Sequence, residues 1–236
     1  MPSPGQATPP AVGVSPTVPV RFLIQPARPQ AIGLRLPQPA GDDLLHFCRA
    51  NRLEFLILPL HGAVRQIAPT SADLTRTVAA GLAVMLLCDA PEPSGGLSEQ
   101  MGYSHALSSA QVARELGLPA GLTIWLADSN AGPGLSGSNS PLSAYVRGWA
   151  HGMMACGYDA GLFASNTVNL SNVQINRLCQ LPSSMTEPML GFSMKQVQLE
   201  IPGLNNIDQP AQFYQVLSDR RASTPTWLGQ APPPLT

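Results

Sequence analysis

Two aspartates occupy positions from which they could act together on a substrate. Asp89 follows the apolar run of residues 82–87, and Asp128 follows the apolar run of residues 122–126. Because parallel strands present their carboxyl ends at one edge of a sheet, we expect both carboxyl groups at the same face of the fold. Paired carboxyl groups can serve as proton donor and base, and Glu92 lies just beyond Asp89. The alternative interpretation is that these are loop acids that cap helices or pair with arginine.

Other chemistries find little support in the sequence. His61 follows the run of residues 53–58 and could belong to a site, although a lone histidine after a strand is more often a loop residue. No histidine pair has metal-ligand spacing, and no G-x-G-x-x-G or G-x-S-x-G motif stands in the setting it needs. The four cysteines lie far apart and form no C-x-x-C pair: Cys48, Cys88, Cys156 and Cys179. We therefore expect neither a metal nor a cofactor.

The elements that must position these residues alternate between strand and helix. Apolar runs predict strands at residues 31–36, 53–58, 82–87, 122–126 and 161–164, and helical patterns fall at 42–50, 71–80, 104–116, from 141 onward and at 171–180. Shorter strand candidates follow at 189–192, 194–200 and 213–217. Repeated strand–helix units predict a parallel sheet with right-handed crossovers. We expect an α/β fold of the (β/α)8 TIM-type barrel class, irregular in its last third, with an open doubly wound sheet as the alternative.

One predicted helix has an especially clear apolar stripe. Ser140 and Pro141 begin it, as an N-cap followed by a proline in the first helical position. Its apolar residues recur at helical spacing: Leu142, Tyr145, Val146, Trp149 and Met153. That pattern predicts a helix with one buried face.

Composition narrows the classes of partner. Hydrophobic residues make up 44% of the chain, which is enough for a core, and the net charge is −1. A chain without excess positive charge has no electrostatic basis for wrapping nucleic acid or an anionic membrane. No apolar run is long enough to cross a bilayer, and no secretory signal pattern is present, so we expect synthesis in the cytoplasm.

Both ends of the chain are rich in proline. Residues 1–30 contain eight prolines and almost no charge, and residues 231–236 include three prolines in succession. Proline fixes the backbone in extended conformations, so these ends are predicted to be arms flanking a domain over residues 31–230. Val20, Phe22 and Ile24 alternate in the one strand-like segment of the first arm, residues 20–24. We expect that arm to contact other protein subunits by adding a strand to a partner's sheet.

Two segments in the middle of the chain carry a family resemblance. Residues 113–126 read ARELGLPAGLTIWL, and the next unit contains YVRGW at 145–149 and CGYDAGLF at 156–163. They resemble the glycoside-hydrolase-like barrel domains of bacteria and phages that are related to family 25 lysozymes. The resemblance implies a barrel with carboxylates at strand ends. It also implies that Asp208 occupies the place of a late-strand acid.

The sequence departs from that family at the positions where the family has its carboxylates. It has Gly33-Leu34-Arg35 where the family has Gly-Phe-Asp, and Asp128-Ser129-Asn130 where the family has Asp-x-Glu. Glycoside hydrolysis needs two carboxyl groups, and neither arginine nor asparagine can give a proton to a leaving oxygen. The resemblance therefore predicts an inactive domain with a structural or glycan-binding role in a larger assembly, such as a virion or phage tail.

Residue roles follow from that prediction. The candidate binding residues, for cell-wall glycan, are Arg35, His61, Glu92, Asn130 and Asp208. The alternative is an active peptidoglycan-degrading glycosidase that uses Asp89 and Asp128 as its catalytic pair.

Overall fold

The first two thirds of the chain fold as the strand–helix alternation predicts. The computed structural model describes residues 22–61, 66–91, 96–128, 141–164, 194–197, 212–216 and 226–230. In order, the alternating elements are β2 (Ile32–Arg35), α1 (Asp42–Ala50), β3 (Phe55–Pro59), α2 (Ser71–Ala79), β4 (Ala83–Asp89), α3 (Glu99–Glu115), β5 (Thr123–Asp128), α4 (Pro141–Ala155) and β6 (Asp159–Ala164). Strands β2 to β6 pair side by side, and each pair is parallel. The predicted parallel sheet is thus confirmed for these five strands.

Two helix starts differ from the prediction because of their caps. Helix α3 begins at Glu99 and not at Ser104, since the Ser98 side chain accepts a hydrogen bond from the backbone N–H of Met101. Helix α2 is capped by Thr70 rather than by Ser71. Thr70 and Asp73 form a capping box, in which each side chain accepts a hydrogen bond from the other's backbone N–H.

The prediction of a (β/α)8 barrel is wrong. The described strands form one mixed sheet of nine strands, in which β8 (Gln212–Val216) runs antiparallel to β2, and β7 (Met194–Val197) runs antiparallel to β8. In the described part of the chain β6 pairs only with β5 and β7 only with β8, so the sheet does not close on itself. Four helices lie among the described residues, which is fewer than a (β/α)8 barrel has.

Two antiparallel strands, one from each end of the chain, complete the sheet. Strand β1 (Phe22–Pro26) runs antiparallel to β9 (Thr226–Gln230), and β9 contacts β4 where Val84 faces Leu228. The Thr226 side-chain oxygen Oγ1 also accepts a hydrogen bond, at 2.8 Å, from the backbone N–H of Thr123 at the start of β5. Strand β9 therefore enters between β4 and β5 at their amino ends. The strand-like segment of the first arm pairs within its own chain.

The sheet has a core on each face. All five residues of β3 are buried, as expected for a continuous apolar run. One core lies between the sheet and the helices and includes Leu56, Leu58 and Trp149, while the other collects Phe55, Ile57, Met85 and Trp125 from the opposite face. The alternation of residues along each strand assigns side chains to these faces. Within the described residues, no helix is both long and apolar enough to span a membrane.

Several predictions from the sequence fall outside the described residues. They are the helix at 171–180, the strand at 189–192, most of the two proline-rich arms, and the site candidates Glu92, Asn130 and Asp208. For Asp128 the backbone is described and the side chain is not.

We expect that removing the first arm up to residue 21 leaves the stability of the protein unchanged, whereas a longer truncation lowers it. Phe22 and Ile24 of β1 pack against the core, and Ala27 is 1% exposed. Removing residues 1–27 should therefore cost about 2–4 kcal/mol of unfolding free energy, the burial lost from these side chains. Removing residues 1–21 should leave the melting temperature unchanged. Thermal unfolding of both truncated proteins beside the full chain measures this, and equal melting temperatures for both would contradict the pairing of β1 with β9.

Candidate functional site

An arginine and an aspartate from two strands meet at the carboxyl edge of the sheet. Arg35 is the last residue of β2 and Asp89 the last of β4, with β3 lying between the two strands. The Arg35 guanidinium nitrogen Nη2 lies 3.4 Å from Asp89 Oδ1, and the two side chains are 23% and 25% exposed. The sequence identified both residues, and the structure brings them together across β3.

Gln66, which no sequence pattern distinguishes, completes this group. Gln66 Nε2 donates a hydrogen bond to Asp89 Oδ2 at 2.5 Å. Both oxygens of the Asp89 carboxylate thus accept hydrogen bonds, one from Arg35 and one from Gln66. Gln66 lies in the loop after β3, where a single glutamine has no pattern to distinguish it.

These three side chains line a small open cavity. The cavity has a volume of about 250 Å³, and its other walls include Ile57, Leu87 and, from β8, Gln212. Its polar groups are an arginine, two amides and one carboxylate, which can donate and accept hydrogen bonds at the same time. We refer to it as the Arg35–Asp89 cavity. Its polar groups suit a ligand with several hydroxyl groups.

Residues behind this cavity fix Gln212. The Tyr214 hydroxyl donates to Gln212 Oε1 at 3.0 Å. Burial raises the pKa of Tyr214, while the nearby charge of Arg35 opposes that rise. The neutral phenol therefore remains a hydrogen-bond donor at physiological pH.

The two aspartates of the sequence prediction are not partners in the sheet. The register places Ala127 of β5 opposite Asp89, and Asp128 lies one residue further on, opposite Ala164 of β6. The residue of β5 that shares the register position of Asp89 is thus an alanine.

His61 belongs to a different cluster, on the helix side of β4. Its Nε2 lies 2.6 Å from the Ser109 hydroxyl of α3, and its ring lies 5.8 Å from the ring of His105. Burial lowers the pKa of His61. His61 is not part of the lining of the Arg35–Asp89 cavity. Its described partners are those of a histidine fixed within the fold.

His105 is the centre of that cluster and was missed in the sequence. Its Nδ1 forms a short hydrogen bond with the Tyr145 hydroxyl of α4, and its ring packs 5.0 Å from that of Trp149. Burial, with a smaller contribution from His61, lowers the pKa of His105 to about 4. The partners come from two helices about forty residues apart in the chain, so no local spacing could reveal them.

The stability of the protein is expected to fall in acid because of His105. Its pKa is about 4 in the folded protein and near its ordinary value of about 6.5 in the unfolded chain. A histidine held neutral on folding contributes stability that is present above the unfolded pKa and lost as the pH falls from about 6.5 towards 4. Chemical denaturation at intervals over this pH range should show the loss, and His105→Leu should flatten it.

An exposed histidine provides the control for this experiment. His46 lies exposed on α1, so His46→Gln serves as the matched histidine replacement in the same pH series. A His105→Leu variant with the full acid sensitivity of the parent would show that another group is responsible.

Metal chemistry has no candidate among these residues. Over the ranges that the structure describes, no group of three histidine, cysteine, aspartate or glutamate side chains is placed to bind a metal ion.

Comparisons with known proteins give a family and a set of similar folds. The family model described as "Rv2525c-like, glycoside hydrolase-like domain" matches residues 55–224. No curated protein matches the chain. Among solved structures, a B. stearothermophilus protein is 17% identical with a TM-score of 0.59, over 81% of this chain and 97% of the other.

Two further structures are similar at lower scores. The Tat-secreted protein Rv2525c of Mycobacterium tuberculosis is 14% identical with a TM-score of 0.49, over 80% of this chain and 95% of its own. The catalytic domain of the endolysin ply40 from bacteriophage P40 of Listeria monocytogenes is 15% identical with a TM-score of 0.44, over 81% of this chain and 95% of its own. At 17% identity, the likeness to the B. stearothermophilus protein concerns the fold alone.

Proposed function

Since the chain belongs to the Rv2525c-like, glycoside hydrolase-like domain family, we propose that it binds a carbohydrate in the Arg35–Asp89 cavity without cleaving it. The ligand we favour is a cell-wall glycan. The observation that carries this proposal is the state of Asp89, whose two oxygens accept from Arg35 and Gln66.

Asp89 held in this way is suited to binding and poorly suited to proton donation. A general acid must carry a proton and direct it at the leaving oxygen. While both Asp89 oxygens accept hydrogen bonds from side chains, the group presents no proton to a substrate. A carboxylate fixed by two donors can still accept bonds from sugar hydroxyl groups, because each oxygen has two lone pairs.

The second carboxyl group that hydrolysis needs is not opposite Asp89. Glycosidases use a pair of carboxyl groups about 5–10 Å apart, one as acid and one as base or nucleophile. The neighbouring strand presents Ala127 at the register position of Asp89. Arg35 occupies the end of β2, where it pairs with Asp89 instead of supplying an acid.

An active glycosidase that uses Asp89 and Asp128 remains the second candidate function. Its support is proximity along the sheet, since Asp128 follows directly after the register partner of Asp89. This candidate requires glycan cleavage that depends on both aspartates.

Glycan binding is tested with purified peptidoglycan and two arginine variants. Arg35→Ala should weaken binding about tenfold or more, because hydrogen bonds to a charged group contribute about 1.5–3 kcal/mol. Arg49→Ala, at an exposed position on α1, is the matched control and should bind like the parent protein. Equal binding by the parent and the Arg35→Ala variant in a co-sedimentation assay would overturn the proposal.

The proline-rich segment that precedes β1 is proposed to attach the domain to other protein subunits. Its support is composition, since six prolines in residues 1–21 favour an extended chain that loses little entropy on docking. The pairing of β1 with β9 fixes the base of that segment to the domain. Removing residues 1–21 should abolish co-purification with the assembly while leaving glycan binding intact.

A further inference from the structure

A second cavity lies next to Asp89, on the side of helix α3. Its volume is about 370 Å³, and Asp89 belongs to the lining of both this cavity and the Arg35–Asp89 cavity. The remaining walls come from the segment after β4 and from two helices: Pro91, Gln100, Met101, Ser104, His105 and Tyr145. We call this second cavity the α3 recess.

We infer that the α3 recess binds an apolar substituent, aryl or acyl, carried by the carbohydrate in the Arg35–Asp89 cavity. The position of the sugar rests on the proposed function. The apolar character of the recess is argued independently, from the residues that line it.

The surface of the recess is largely apolar, and two of its polar groups bond each other. His105 Nδ1 bonds the Tyr145 hydroxyl, so the half-buried His105 offers a ligand mainly ring surface, with the buried Tyr145 behind it. Met101 is 41% exposed, one of the few large apolar side chains exposed in the described part of the chain. An exposed methionine beside a ring-lined cavity is a typical adaptable contact for an apolar ligand.

The only charge on the described lining lies at its border. Asp89 is the one carboxylate there, and its oxygens are already bonded by Arg35 and Gln66 from the polar side. Among the described residues, an uncharged group in the recess would therefore meet no unpaired charge. A second charged or strongly hydrated group would lose water without gaining a partner, which disfavours it.

The helix pair that forms the recess is held rigidly. Built Cβ atoms at Gly102 and Gly148 would each fall within 2 Å of a backbone carbonyl oxygen on the other helix, so α3 and α4 pack backbone to backbone. Tyr145, on α4, is fully buried. The recess is therefore formed before a ligand arrives, which reduces the entropy lost on binding.

The shared aspartate sets the order of the two parts of the ligand. A sugar hydroxyl that bonds Asp89 lies between the two cavities, because Asp89 belongs to both linings. A substituent next to that hydroxyl extends over Met101 and His105. Arg35, Gln66 and Gln212 remain for the other hydroxyl groups.

Matched glycosides test this assignment. The probes are methyl β-N-acetylglucosaminide, 4-nitrophenyl β-N-acetylglucosaminide and 4-nitrophenol alone, each titrated by calorimetry or ligand-observed NMR. The aryl glycoside should bind about tenfold more tightly than the methyl glycoside, because its ring leaves water for the recess. Ser104→Phe should fill the recess and remove that gain.

Ser108→Phe is the matched control for the blocked recess. Ser104 and Ser108 are both exposed and stand one turn apart on α3, but only Ser104 lines the recess. The Ser108→Phe variant should keep the tenfold preference for the aryl glycoside. Both variants should keep the binding of the methyl glycoside, which uses the polar cavity alone.

The outcomes separate the recess from the proposed function. Equal affinity for the two glycosides, a preference that survives Ser104→Phe, or no binding of either aryl probe would each overturn the α3 recess. Binding of the methyl glycoside that is lost in Arg35→Ala would leave the proposed function standing in those cases. A third outcome would support the recess and contradict the proposed function. In it, 4-nitrophenol binds and Ser104→Phe abolishes that binding, while Arg35→Ala does not change the binding of the sugar.

Discussion

Replacing Trp149 by alanine is expected to cost about 3–5 kcal/mol of unfolding free energy, the range for emptying a large aromatic site in a core. Trp149 is fully buried on α4, and its ring packs against that of His105. It belongs to the core between the sheet and the helices. The unfolding free energy of a single domain is typically about 5–15 kcal/mol. A loss of this size should therefore leave part of the protein unfolded at 37 °C.

Urea denaturation followed by circular dichroism measures the effect of this substitution. Met154 lies on the same helix but is 47% exposed, so Met154→Ala is the matched control and should change the stability by less than about 1 kcal/mol. A loss of under about 1 kcal/mol for Trp149→Ala would show that α4 does not pack on the sheet through this side chain.

Adding a single methyl group at Gly102 is expected to cost about 3 kcal/mol, at the upper end of the range for overpacking. A Cβ atom there would lie 1.9 Å from the carbonyl oxygen of Tyr145 and 2.9 Å from the backbone nitrogen of Trp149. Both contacts are with backbone, which cannot move aside as a flexible side chain can. The two helices would have to separate, and the contact of His105 with Tyr145 would separate with them.

The glycine on the facing helix gives an independent check. Gly148→Ala should behave similarly, since its Cβ atom would lie 1.9 Å from the carbonyl oxygen of Glu99. Gly41 has no atom within 4 Å of a built Cβ atom, so Gly41→Ala should cost no more than about 1 kcal/mol, its N-cap contribution. If all three glycine variants have the same melting temperature, the close approach of α3 and α4 is not what stabilises this helix pair.

The sequence predicted the parallel part of the sheet because those strands are buried on both faces. Residues 55–59 and 83–88 are continuous apolar runs, and the amphipathic segments between them have the length of helices. Local pattern is sufficient there, because each strand pairs with the next strand along the chain.

The barrel prediction failed where pairing depends on distant residues. Strand β9 pairs with β1 across almost the whole chain, and β8 pairs with β2. Nothing in a five-residue segment such as Thr226–Gln230 specifies which edge it will join or in which direction. Tertiary packing decides both, so a pattern of repeated units was extended too far.

The candidate site was predicted one residue at a time and not as a group. Asp89 was identified because it ends a strand, and Arg35 because it stands where the resembled family has a carboxylate. Their contact across β3 depends on the register of three strands, and Gln66 depends on the path of a loop. His105 and Tyr145 meet only because glycines bring α3 and α4 together.

The proposed function depends on whether Asp89 binds a glycan or helps to cleave it. The most direct measurement incubates the protein with purified peptidoglycan and follows both bound protein and newly formed reducing ends. We expect saturable binding that Arg35→Ala weakens about tenfold, with no reducing ends above those of a protein-free sample. Reducing ends that form with the parent protein and disappear in both Asp89→Asn and Asp128→Asn would contradict the account and establish a glycosidase.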